Sequence, residues 1–149
     1  IDPENAASYQ ENASAYIAQL EMLDQNFRDF FAGVSNKTMV FGDRFPFRYF
    51  AEEYGLDCFA AFPGCSSETE PSVATIAFLT DKVKSENITT VFYIEFSNHQ
   101  VADSMAEAAG AKTALFHSCH NVSEQEQRDG ATYLSLMEQN LNTLKEALH

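Results

Sequence analysis

From Tyr9 to Phe31 apolar side chains recur three or four residues apart, at Tyr9, Ala13, Tyr16, Ile17, Leu20, Leu23, Phe27, Phe30 and Phe31. That spacing puts them on one stripe of a helix, and Gly33 ends the run. Asp2 and Pro3 supply an N-cap and a first-turn residue, and Glu4 places negative charge where the helix dipole favours it. The pattern predicts a helix of about 30 residues, roughly 45 Å long at 1.5 Å per residue. Such a length suits a helix that reaches along a neighbouring domain.

Beyond Gly33 the period changes. Short runs apolar on both faces, Thr38 to Phe41, Cys58 to Phe62, Thr90 to Ile94 and Thr113 to Phe116, read as buried strands. Amphipathic stretches separate them: Phe47 to Tyr54 closed by Gly55, Pro71 to Glu86, and Val101 to Ala109 closed by Gly110. A last helix, about Ala131 to Leu148, carries Leu134, Met137, Leu141, Leu144 and Leu148 on one face. Strand and helix alternating with right-handed crossovers predict an α/β fold, a four-stranded parallel sheet with helices on both faces, preceded by one long helix.

Composition changes this picture little. In 149 residues, 45% hydrophobic and 13% aromatic, there is enough apolar material for a real core. A net charge of -13 argues against nucleic acid or an anionic membrane surface as partner and favours a cation, although acidic surface is most often simply solvated. No run approaches the roughly 20 apolar residues that span a bilayer. The chain opens at "IDPENAASYQ" without Met, which leaves room for an upstream segment carrying any export signal. Three cysteines, Cys58, Cys65 and Cys119, are too few for a disulfide framework and too scattered for a C-x-x-C motif.

In an open parallel sheet, ligands bind outside the carboxyl ends of the strands, so the residues just after each apolar run are the informative ones. These are Gly42, Asp43 and Arg44; Pro63, Gly64 and Cys65; Glu95; and His117, Ser118, Cys119 and His120 in the stretch "LFHSCHN". Asp, Glu and His converging on one rim are donors suited to zinc or manganese. The plainer alternatives stay open at this level. A histidine at a strand end is often a hydrogen-bonded loop residue, carboxylates after strands cap the following turn, and cysteines are small semi-buried thiols or, for Cys65 and Cys119, a bridge between two rim loops. Cys119 beside a histidine could also suggest nucleophilic catalysis, but no G-x-S-x-G elbow, P-loop or dinucleotide turn accompanies it. Aromatic residues near the first two strand ends, Phe45, Phe47, Tyr49, Phe50, Phe59 and Phe62, would instead suit an organic ligand or a partner protein.

Three longer stretches carry a resemblance. "FGDRFPFRYFAEEYGL" (Phe41 to Leu56), "SSETEPSVATIAFLTDKVKSENITTVFYIEFSN" (Ser66 to Asn98) and "ADSMAEAAGAKTALF" (Ala102 to Phe116) resemble the carboxyl-terminal lobe of the substrate-binding lipoproteins of zinc and manganese ABC importers. The opening helix is similar to the one that joins the two lobes of that family. The resemblance implies residues 1–33 as interlobe helix, residues 34–149 as carboxyl-terminal lobe, an absent amino-terminal lobe, and a 2-1-3-4 sheet order. It implies capture of zinc, with manganese second, outside the cytoplasm, delivery to an ABC permease without enzymatic chemistry, and self-association of the lobe when its partner is missing.

Residue by residue, the resemblance makes Asp43 the stand-in for a His or Glu after the first strand, in a segment that departs from the family pattern. His117 occupies the slot of an Asp ligand after the last strand, which makes it the expected metal ligand of this loop, and His for Asp favours zinc over manganese. Glu95 becomes a ligand or an acceptor for an imidazole proton, and His120 a reserve ligand. An imidazole must be unprotonated to bind a metal, so affinity is expected to fall in acid.

Overall fold

The computed structural model describes residues 2–62 and 71–148. A single 3-10 turn, Pro3–Asn5, leads into α1, Ala6–Gly33. Asp2 precedes this turn without capping it; its carboxylate accepts hydrogen bonds from Asn5 Nδ2 at 2.9 Å and from the Tyr9 hydroxyl at 2.6 Å. The long helix forms as the spacing predicts. Only its second half is anchored, because Leu23, Phe27 and Phe31 are its buried residues, while Tyr9, Tyr16, Ile17 and Met22 stand exposed.

The sheet consists of β1 (Thr38–Arg44), β2 (Asp57–Phe62), β3 (Thr90–Tyr93) and β4 (Lys112–Leu115), all parallel, in the order β2-β1-β3-β4. Helices α2 (Arg48–Tyr54), α3 (Val73–Ser85) and α4 (Gln100–Ala109) are the crossovers, followed by α5 (Glu124–Arg128) and α6 (Tyr133–Ala147). Gly55 and Gly110 close α2 and α4 with φ of 66° and 72°, a left-handed conformation that glycine adopts without steric penalty.

Strand alternation divides the core into two layers. Met39, Phe41 and Phe92, with Phe116 just beyond β4, pack on Leu23, Phe27 and Phe31 of α1 and Leu141 and Leu144 of α6. On the opposite face Val40, Ala61 and Val91 pack on Leu79 and Val83 of α3 and on Ala102, Met105 and Ala106 of α4. The aromatic cluster near the strand ends is mostly core: Phe45, Phe47 and Phe50 pack on the first layer, Phe59 on the second, and Phe62 is buried, leaving Tyr49 on the surface.

Two elements differ from expectation. The first strand continues through Gly42, Asp43 and Arg44, residues of poor strand propensity, with a register irregularity that sets Phe41 opposite Ala60 but Arg44 opposite Phe62. Gly42 is required there: a Cβ at that position would lie 2.3 Å from the Ala102 Cα of α4. The short helix α5 has no apolar stripe and was not foreseen. Its start is nonetheless written in Ser123 and Glu126, which form a reciprocal capping box.

Candidate metal-binding rim

Asp43 sits at the carboxyl end of β1 with only 3% of its surface exposed. Its Oδ1 accepts the Arg44 amide at 2.7 Å, and its Oδ2 accepts the Ile94 amide at 3.3 Å across the sheet. The carboxylate thereby ties the exit of β1 to the exit of β3.

Glu95 follows β3 and reaches the loop after β4. Its carboxylate accepts the Ser118 amide at 2.8 Å and the Ser118 hydroxyl. Partial burial works to raise the carboxyl, but the Ser118 hydroxyl and amide and its own amide outweigh it and hold Glu95 below the usual carboxylate range. Its expected partner, an imidazole proton, is replaced by a serine.

The loop after β4 then turns sharply. Cys119 has a φ of 62°, unusual for a non-glycine residue, and this turn sends the two histidines of "HSCH" to different places. His120 is exposed and lines a crevice of about 240 Å³ together with Asp43, Glu95 and Ser118. His117 does not line that crevice. It is turned inward and 3% exposed, with its Nδ1 accepting the Cys119 amide at 2.9 Å. A neutral imidazole that accepts at Nδ1 carries its proton on Nε2. That nitrogen faces Glu126 Oε1 at 3.5 Å, beyond hydrogen-bond length, and among the described residues has no other partner. Glu126 is held below the usual carboxyl range by the Ser123 amide and hydroxyl of the capping box.

Cys119 is half-buried, and burial together with Glu95 and Glu126 pushes its thiol up to about 11. Such a thiol is neither an activated nucleophile nor a ready thiolate ligand at neutral pH. Cys58 is pushed up to about 12 by burial and Asp57. Cys58 and Cys119 are free, and Cys65, with the bridge considered for it, lies outside the described residues.

Asp43, Glu95 and His120, drawn from three strand exits, thus face one crevice. Their oxygen and nitrogen donors match a divalent metal of zinc or manganese type. Among the described residues no three His, Cys, Asp or Glu side chains are close enough to hold a metal as they stand. The residue that sequence reasoning did not single out is Asn140 of α6, 2% exposed, which binds the His117 backbone from beneath.

Among the described residues no helix is long and apolar enough to cross a membrane. The family described as "Zinc-uptake complex component A periplasmic" matches residues 1–147. The chain is 35% identical over 147 residues to the high-affinity zinc uptake system protein ZnuA of Bacillus subtilis, covering 99% of this chain and 46% of that protein. It is 32% identical to the zinc-binding lipoprotein AdcA of Streptococcus pneumoniae, covering 97% and 28% respectively. The chain therefore spans less than half of these relatives.

Among solved structures, the metal-dependent lipoprotein YcdH of Bacillus subtilis superposes with a TM-score of 0.81 at 34% identity, covering 99% of this chain and 55% of that one. The Zn(II)-bound ZnuA-like domain of Streptococcus pneumoniae AdcA gives 0.77 at 32%, covering 97% and 54%. The laminin-binding protein Lmb of Streptococcus agalactiae, described as both adhesin and metal transporter, gives 0.77 at 27%, covering 98% and 55%. With the same alternation of strands and helices, and a family match running almost end to end, this chain belongs to the ZnuA family of zinc-uptake components, which are transporter subunits and not enzymes.

Proposed function

We propose that this chain is the carboxyl-terminal lobe (34–149) and interlobe helix (1–33) of an extracytoplasmic protein that captures zinc and hands it to an ABC permease. The observation that carries this reading is the convergence of Asp43, Glu95 and His120 on one crevice at the carboxyl rim of the sheet. A companion amino-terminal lobe supplies the remaining donors. One finding supports that division: Tyr9, Tyr16 and Ile17 on the first half of α1 are large apolar side chains left exposed.

Of the two histidines, His120 is the donor the rim offers. His117 reaches a metal only by releasing the Cys119 amide and turning its ring. An imidazole among the donors favours zinc over the harder manganese ion, in keeping with the zinc-binding descriptions of the relatives. The metal is cargo, and no bond in it is made or broken beyond coordination. Binding acts by stabilising one arrangement of the two lobes over another.

The test is competitive titration of the longest natural form of the protein with zinc and then manganese, in metal-stripped buffer, at neutral and mildly acidic pH. The reading predicts tight zinc binding that weakens in acid and weaker manganese binding. Absence of zinc binding, or binding of an organic ligand that survives a strong chelator, overturns it.

A further inference from the structure

Between β4 and α5 the chain leaves regular structure, yet four consecutive amides are each held by a side chain. The His117 amide donates to Asn140 Oδ1 at 2.8 Å, the Ser118 amide to Glu95 at 2.8 Å, the Cys119 amide to His117 Nδ1 at 2.9 Å, and the His120 amide to Ser118 Oγ at 3.3 Å. Three of these acceptors belong to the rim itself. The fourth, Asn140, comes from α6 in the helical layer below. Its amide nitrogen also donates to the His117 carbonyl at 2.8 Å, so one planar side chain satisfies both peptide groups of His117.

Asn140 is polar, 2% exposed and placed among Leu136, Leu141 and Leu144 on the buried side of α6. A buried amide is tolerated where its hydrogen bonds are made, and helix packing alone would favour an apolar residue here. Its two short hydrogen bonds both go to His117, the first residue of the loop, while its nitrogen also donates to Met137 Sδ at 3.4 Å. His120 is three residues on, and among the described residues its ring makes no hydrogen bond that would orient it. Its position follows from the backbone that Asn140, Glu95 and Ser118 hold.

We infer that Asn140 is a positioning residue for the metal rim: through the backbone of His117 it fixes the loop that presents His120 to the metal. The inference rests on the proposed rim reading and goes beyond it, because Asn140 lies outside the crevice and touches no metal. Loss of an outer group that orients a metal ligand lowers affinity about 10- to 100-fold in other sites.

The test is a double-mutant cycle on zinc affinity in the longest natural form of the protein, with Asn140→Ala, His120→Ala and both together, measured well below the melting temperature of each variant. If Asn140 acts through His120, Asn140→Ala lowers zinc affinity by about 10-fold or more alone and by less than about twofold once His120 is gone. Equal losses in both backgrounds would make Asn140 a general support of the fold and overturn the inference, as would an unchanged affinity in Asn140→Ala. A His120→Ala variant that binds zinc as tightly as the parent overturns the rim reading itself, and the inference with it. Should Asn140→Ala fail to fold, Asn140→Leu serves in its place, since it fills the same volume without burying a charge and removes both hydrogen bonds to the His117 backbone. It is expected to lower zinc affinity with His120 present and not without it.

Discussion

Replacing Gly42 with Ala tests the account of how β1 reaches the rim. The added Cβ would stand 2.3 Å from the Ala102 Cα, 2.6 Å from its Cβ and 2.6 Å from its amide nitrogen. Carbon atoms at rest lie about 3.5–4.0 Å apart, so β1 and α4 must separate by roughly 1.2 Å or more. The obstacle is backbone, and no rotamer change relieves it.

Ala102, Met105 and Ala106 of α4 are fully or almost fully buried against the sheet, so lifting the helix opens the second core layer along its length. Overpacking of this kind typically destabilises by about 1–3 kcal/mol, and a backbone obstacle belongs at the upper end. At about 2–4 °C per kcal/mol for a chain of this size, about 3 kcal/mol lowers the melting temperature by roughly 6–12 °C. Gly33→Ala is the control. A Cβ there meets nothing within 4 Å and the backbone needs no left-handed angle, so this change is neutral or stabilises by up to about 1 kcal/mol. Thermal and urea denaturation followed by circular dichroism measure both variants. A Gly42→Ala protein melting within about 2 °C of the parent would refute the close approach of β1 and α4.

Other consequences follow from the same structure. His117→Ala leaves the Cys119 amide without its acceptor and opens a cavity, so it lowers stability by about 2 kcal/mol in urea denaturation; in the longest natural form it reduces zinc affinity less than His120→Ala does. Glu95 and Glu126 are both held below their ordinary carboxyl value of 4.5. The unfolded chain therefore binds more protons in acid, and stability is full above that value and declines as pH falls through the lower folded values. Urea midpoints across the acid range measure this decline, and Ser118→Ala, which removes the hydroxyl donor to Glu95, makes it shallower; an unchanged acid limb would contradict the Ser118 to Glu95 hydrogen bonds. With its thiol pushed up to about 11, Cys119 reacts with iodoacetamide at neutral pH far more slowly in the folded chain than in the unfolded one; equal rates would contradict its placement. The 149-residue chain, with Tyr16 and Ile17 exposed on α1, is expected to self-associate in light-scattering measurements, and Ile17→Lys to weaken that association.

Much of the fold is legible from hydrophobic period alone. Runs apolar on both faces, separated by amphipathic stretches, are the mark of a sheet covered by two helical layers, and the β2-β1-β3-β4 order agrees with the family resemblance. Strand propensity placed the end of β1 at Phe41, because a lone sequence cannot show that Gly42 makes room for Ala102 or that Asp43 finds two amide donors. That Asp43, Glu95 and His120 share a crevice follows from their places just after strands of a parallel sheet. The roles of His117 and His120 were not legible, since a single left-handed residue, Cys119, decides which ring faces the crevice and which the core. Asn140 was hidden for a different reason: 23 residues separate it from its partner, and on the buried face of a helix it reads as a flaw in an apolar stripe.

The location of the zinc ion is the most direct test of the central claim. Anomalous scattering at the zinc edge, from crystals of the zinc-loaded longest natural form, is expected to show one peak in the crevice at the carboxyl ends of β1, β3 and β4. A His120 ring nitrogen should lie about 2.0–2.1 Å from the ion and a rim carboxylate oxygen about 2.0–2.2 Å away. A zinc ion whose coordination shell contains none of Asp43, Glu95 and His120 would contradict the account.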